Sequence, residues 1–153
     1  MIEAVFWDFG GVLTESPFLA FRAYEQSNGL PDGFLRAVNA ANKDANAWAR
    51  FERSEIDLDA FDAHFLAEST KLGHPVPGRE VVALLKLELR PAMVAALRIV
   101  SQSFKTACIT NNVRGPGSSG ADDPRPDVKE VFALFDAVIE SSKAGVRKPD
   151  PEI

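Results

Sequence analysis

The sequence predicts an α/β fold, a parallel sheet whose first two strands are separated by an all-helical block. Three observations lead there. The short apolar run Ala4-Val5-Phe6-Trp7 ends at Asp8 and passes at once into Gly10-Gly11. Similar runs recur at Phe104 to Ile109 and at Ala137-Val138-Ile139. Between the first and second runs the apolar residues follow helical spacing. Short runs without polar alternation suit strands covered on both faces, as in parallel sheets. The first run is therefore expected in the middle of the sheet, with Asp8 at its carboxyl end, where open α/β sheets gather their ligands.

The elements follow in order. Ser16-Pro17 is a helix start and Asn28-Gly29 a stop. Phe34, Val38 and Ala41 define a second helix, and Ala45, Trp48 and Phe51 a third. Asp57 is placed to cap a fourth, on which Leu58, Phe61, Phe65 and Leu72 share a face before Gly73 ends it. His74-Pro75-Val76-Pro77-Gly78 reads as loop, and Arg79 to Leu89 as another helix. Pro91 opens a helix carrying Met93, Val94, Leu97 and Val100. After the second strand, Thr110-Asn111-Asn112 leads into the Gly/Pro-rich stretch Val113 to Pro126. That stretch is expected to be a long mobile loop with Asp122 and Asp123 solvated. Asp127 is expected to cap a short helix with Val128, Val131 and Phe132 before the third strand.

A chain of 153 residues, 46% hydrophobic and 25% charged, fits one domain with a modest insertion. With a net charge of −5 and no run of Lys or Arg, it lacks the electrostatic footprint of a nucleic-acid binder. No apolar stretch approaches the ~20 residues that span a bilayer, and the start does not resemble a signal peptide. A membrane partner is not expected, and a cytoplasmic location is. Cys108, the single cysteine, cannot form an internal disulfide and reads as a small buried hydrophobe. His64 and His74 have no partner at ligand spacing and read as structural or solvated.

Parallel strands would bring Asp8, Thr110 and the loop carrying Lys148 to one edge. A carboxylate there can attack a phosphoryl group and form an aspartyl-phosphate, splitting one hard displacement into two easier ones. The transferring group is anionic and needs a cation and donors around its oxygens. Lys148 supplies the charge, and the Thr110 hydroxyl and backbone N–H groups near Gly10 and Gly11 supply the donors.

Asp8-Phe9-Gly10-Gly11-Val12-Leu13-Thr14 resembles the first motif of the haloacid dehalogenase superfamily. Thr110-Asn111-Asn112 resembles its second motif, and Arg147-Lys148-Pro149-Asp150-Pro151 its third. The phrase from Glu140 to Pro151 is most similar to the branch holding the amino-terminal phosphatase-like domains of bifunctional epoxide hydrolase and some acyl-CoA dehydrogenase fusions. The resemblance implies a Rossmann-like parallel sheet from residues 1–14 and 90–153, with 15–89 inserted as an α-helical cap. It implies a phosphatase with Asp8 as nucleophile, assisted by Thr110 and Lys148. Gly10, Gly11, Thr110, Asn111 and Lys148 would bind the phosphate of a small phosphorylated metabolite. Magnesium would be held by Asp8 and the Gly10 carbonyl.

Two departures from the family pattern carry consequences. The acid expected two residues after the nucleophile is replaced by Gly10, as in the related dehalogenases. The fourth, acidic motif follows on a later strand in the family, and Asp150 and Glu152 stand too close to Lys148 to replace it. The resemblance therefore implies weak magnesium binding and a core lacking its C-terminal strands, completed by further sequence or another chain. It also implies an open sheet edge through which copies could associate. A dehalogenase-like hydrolase and a non-catalytic interaction module are the alternatives.

Overall fold

A computed structural model describes residues 2–85, 88–115 and 120–153. Its strands form one parallel sheet in the order β1 (Ala4–Trp7), β2 (Lys105–Thr110), β3 (Ala137–Glu140). Trp7 lies opposite Cys108, and Thr110 opposite Glu140, so the three carboxyl ends share an edge. β1 is outermost, not central as its composition suggested. Among the described residues it pairs with β2 alone, and Phe6 is 64% exposed. Apolar composition marks a sheet strand, but pairing order decides which strand is covered. The covered one is β2, where Thr106, Cys108 and Thr110 are buried on one face.

The helical block consists of α1 (Pro17–Ser27), α2 (Phe34–Ala40), α3 (Ala47–Glu52), α4 (Leu58–Lys71) and α5 (Gly78–Ala83). Ser16, Asn46 and Asp57 cap α1, α3 and α4, their side chains accepting from the N–H groups of Phe18, Ala49 and Ala60. At the start of α2 the orphan amides of Gly33 and Leu35 donate to the buried Glu25 carboxylate at 2.9 and 2.8 Å. Ala45 precedes α3, and Leu72 is the half-exposed cap residue that ends α4, outside the face formed by Phe61 and Phe65.

The helix expected over Arg79 to Leu89 stops at Ala83. Lys86 and Leu87 lie outside the described residues, and Leu89 instead bridges Thr14 in antiparallel fashion. Glu15 N–H donates to Glu88 O, and Arg90 N–H to Leu13 O, both at 2.8 Å. The chain thus enters and leaves the helical block side by side.

Beyond it come α6 (Pro91–Val100), α7 (Pro126–Phe132) and the four-residue α8 (Ser141–Ala144), the last without a sequence signal. Asp127 does not cap α7. Pro126, with its φ preset for a helix, takes the first position, so Asp127 falls inside the first turn. Residues 116–119 of the expected mobile loop lie outside the described residues. Asp123 is 4% exposed and gripped by the Arg125 guanidinium, so only Asp122 is solvent-facing, and it pairs with Lys143 at 2.8 Å.

Two apolar clusters form. In the first, Phe61 is fully buried, stacks on Phe51 at 4.6 Å, and meets Trp48 and Phe65 at 5.7 and 5.4 Å. Burying each such ring contributes about 1.5–3 kcal/mol. The second gathers Phe9, Leu13, Leu97, Cys108, Val128, Val131 and Phe132 around the sheet. Among the described residues no helix is long and apolar enough to cross a membrane.

Candidate active site

Asp8 owes its direction to Phe9. The Phe9 ring is fully buried and stacks on Phe132 at 4.6 Å, and its carbonyl accepts from Leu13 N–H at 2.9 Å, which folds the chain into a turn. Side chains alternate at a strand end, so sinking Phe9 into the core turns Asp8 outward. Asp8 Oδ1 accepts the Phe9 N–H at 2.8 Å, and Oδ2 meets Lys148 Nζ at 2.7 Å.

Lys148 is held from three directions. Its N–H donates to Asn111 Oδ1 at 2.8 Å, its carbonyl accepts from Asn111 Nδ2 at 3.1 Å, and its Nζ donates to Ile109 O at 2.8 Å. The end of β2 therefore carries the lysine as well as Thr110. That threonine is 2% exposed, and among the described residues its hydroxyl reaches only Asn111 O at a long 3.4 Å.

These groups face a cavity of about 220 Å³. Asp8, Gly10, Thr110, Asn111 and Lys148 line it from the sheet side, and Pro17, Trp48, Glu52 and Leu85 from the helical block. Two residues expected at the phosphate already have hydrogen-bond partners. Gly11, in the left-handed region at φ 77°, turns its N–H to the Thr14 hydroxyl at 3.2 Å and does not line the cavity. Asn111 lines it, but both ends of its amide serve the Lys148 backbone, so it positions the lysine.

Sequence reasoning passed over Glu52 and took Arg147 only as part of the third motif. Glu52 is 7% exposed; Oε1 accepts Trp48 Nε1–H at 2.9 Å, and Oε2 lies 2.7 Å from Arg147 Nε. Burial pushes its carboxyl above the ordinary range, against the opposing pull of Arg147 and Trp48. The four-residue spacing from Trp48 was a usable signal, since such pairs share a helix face. The contact to Arg147 was not, because it exists only after folding.

Cys108 is no nucleophile. Burial, and then the nearby Asp8 charge, push its thiol up to about 12. The His74 ring packs edge-on against Phe34 at 5.1 Å, a structural role.

Among the described residues no group of three or more His, Cys, Asp or Glu side chains could hold a metal. Oxygens on the cavity-lining residues include the Asp8 carboxylate, the Glu52 carboxylate already engaged by Trp48 and Arg147, and the Gly10 carbonyl, which accepts no hydrogen bond among the described residues. Magnesium takes one or two protein carboxylates and completes its shell with water and phosphate oxygens. This donor set fits at the lower end of that requirement.

A family model for haloacid dehalogenase-like hydrolases matches residues 2–153. Acyl-CoA dehydrogenase family member 10 of Mus musculus is 34% identical over 161 aligned positions, covering 99% of this chain and 14% of that protein. Bifunctional epoxide hydrolase 2 of the same species is 24% identical, over 96% of this chain and 28% of its own length. The chain thus spans under a third of these curated relatives. Among solved structures, the magnesium-bound hydrolase YfnB of Bacillus subtilis superposes with TM-score 0.57 at 18% identity, over 99% of this chain and 68% of that one. A Bacteroides thetaiotaomicron enzyme complexed with magnesium and inorganic phosphate gives 0.56 at 16%, over 99% and 75%. The L-2-haloacid dehalogenase of Xanthobacter autotrophicus with chloropropionic acid covalently bound gives 0.54 at 18%, over 99% and 62%. At such identities these structures establish the shared fold.

Proposed function

The chain belongs to the haloacid dehalogenase-like hydrolase family, and from that premise we propose that it cleaves a small phosphomonoester through an aspartyl-phosphate on Asp8. The observation that carries this reading is the 2.7 Å approach of Lys148 Nζ to Asp8 Oδ2 at the wall of a cavity. An Asp8 oxygen attacks phosphorus, the ester oxygen departs, and water then cleaves the acyl phosphate to release inorganic phosphate and restore the carboxylate. Lys148 and the Thr110 hydroxyl stabilise the charge on the phosphoryl oxygens. Asp8 and the Gly10 carbonyl are the groups that would hold magnesium, which offsets the repulsion between carboxylate and phosphate when bound.

Residues 15–89 act in this reading as a cap. Trp48, Glu52 and Leu85 roof the cavity, which favours small soluble substrates over protein ones. A cytoplasmic setting belongs to the same reading, as does pairing of copies through the open edge of β1.

Phosphate release from p-nitrophenyl phosphate with magnesium, compared between wild type and Asp8→Asn, is the test. Turnover by wild type that disappears in the variant is expected. Equal release by both, or none by either, would sink the proposal, and the second result favours a non-catalytic module.

Gly10 keeps one other reading in view. A departing halide needs no proton, so a site without an acid at this position suits attack by Asp8 on carbon. Chloride released from chloropropionic acid at a rate indifferent to chelator would favour dehalogenation.

A further inference from the structure

We propose that Glu52 is a positioning residue for the hydrolytic site, holding Arg147 so that the adjoining Lys148 stays aimed at Asp8. The inference rests on the reading of Asp8 and Lys148 given above. Its geometry links the helical block to the catalytic lysine. Glu52 ends α3, and Arg147 immediately precedes Lys148. The carboxylate is fixed on one oxygen by the Trp48 indole at 2.9 Å and faces the guanidinium on the other at 2.7 Å. Arg147 also donates from Nη1 to Lys43 O at 3.0 Å, and Ser54 Oγ donates to Ser142 O at 2.8 Å. The helical block thus grips the segment before the lysine by three contacts, two on Arg147 and one on Ser142.

Burying an ion pair costs the hydration of both groups. Burial raises the Glu52 carboxyl, while Arg147, Trp48 and Lys148 pull it back. Buried pairs of this kind are often replaceable by apolar side chains without loss of stability. What an apolar pair would not supply is direction. With Glu52 in place, the guanidinium sits between that carboxylate at 2.7 Å and the Lys43 carbonyl at 3.0 Å. Without its counter-ion Arg147 turns to solvent and draws on the backbone of Lys148, whose amine must reach both Asp8 Oδ2 and Ile109 O. Packing of the helical block over the cavity and aiming of the lysine thereby become one event.

The test uses the full chain with Glu52→Gln, Arg147→Gln and the double variant. Amide exchange at Lys148 is read by mass spectrometry or NMR, and kcat and KM are read on p-nitrophenyl phosphate with magnesium. Glu52→Gln should speed Lys148 amide exchange about tenfold while the melting temperature moves little. It should lower kcat about tenfold to a hundredfold, the scale of a small misplacement of a catalytic group, and leave KM within about threefold. The double variant should be no worse than the worse single one, because both remove the same link. Losses that multiply in the double variant, or a kcat within about twofold of wild type, overturn the inference. If wild type and Asp8→Asn are equally inactive, the phosphatase reading fails by itself. Lys148 exchange still decides this one, and unchanged exchange overturns it. Should Glu52→Gln fail to fold, Arg147→Lys keeps the buried charge but loses the planar fork. It is expected to speed the same exchange severalfold, and wild-type exchange would count against the link.

Discussion

Gly10→Asp asks whether a missing proton limits this site. A side chain fits there: a Cβ at Gly10 meets no atom within 4 Å, and the backbone does not lie in the left-handed region. Gly10 lines the cavity with Asp8, so the new carboxyl is placed at the proposed site of reaction. General acid catalysis contributes about 10²–10⁴-fold. Against this stands repulsion between the new carboxylate and Asp8. For charges ~6 Å apart at an effective dielectric of ~40, that is about 1.4 kcal/mol, or one factor of ten. The expected net gain in kcat is therefore about 10- to 10³-fold for a simple alkyl phosphate, whose alkoxide must be protonated as it leaves. p-Nitrophenolate leaves unaided, so its rate should change little. The ratio of the two rates, measured by phosphate release with magnesium present, isolates proton delivery from any general change in the site. An unchanged alkyl-to-aryl ratio in a folded Gly10→Asp protein would refute the argument that this position limits the reaction.

The other predictions concern the lysine, the thiol and one close approach. Lys148→Met should lower kcat about 10²–10³-fold. Its ion pair is about a third exposed and contributes at most about 1 kcal/mol, so the melting temperature should shift by only ~2–4 °C; a parallel collapse of both quantities would mean the lysine is structural. Cys108, with its thiol pushed up to about 12 by burial and then by Asp8, should resist iodoacetamide when folded and react readily in denaturant. The sign follows from linkage: the folded thiol keeps its proton where an unfolded one loses it above 9.0. Stability should accordingly decline as pH rises from 9.0 toward about 12, and a flat profile by denaturant titration would contradict the assigned environment. Gly78→Ala places a Cβ 2.9 Å from both Asp62 Cα and Phe61 Cε1, and should cost about 1–3 kcal/mol in chemical denaturation. An unmoved midpoint would show that α4 and α5 can separate without cost.

What the sequence disclosed here was whatever local chemistry decides. Asp8 after a strand, Thr110 at the end of another and Lys148 in the loop beyond the third all converge, because parallel strands carry their carboxyl ends to one edge. Ser16 and Asp57 were recognisable as caps because a cap acts within three residues. Gly11 and Asn111 have partners here that their residue types did not disclose. Their residue types suit an anion, but their hydrogen bonds go to Thr14 and to the Lys148 backbone. The outer place of β1 and the extended turn at Leu89 depend on partners distant in the chain. Glu52 was hidden most deeply, since a glutamate on a short helix reads as solvated until Arg147 covers it.

The bridge between Thr14 and Leu89 has a consequence for how such a chain can change. Both junctions of residues 15–89 are stitched to each other by hydrogen bonds of 2.8 Å, so the insertion begins and ends at nearly one point. A segment mounted that way can be lengthened, shortened or exchanged with little disturbance to strand register elsewhere, because a hairpin turn would span the same gap. If the proposed function holds, substrate choice and catalytic chemistry could then be altered separately, one by remodelling the helical segment and the other by changing Asp8, Thr110 or Lys148 at the sheet edge.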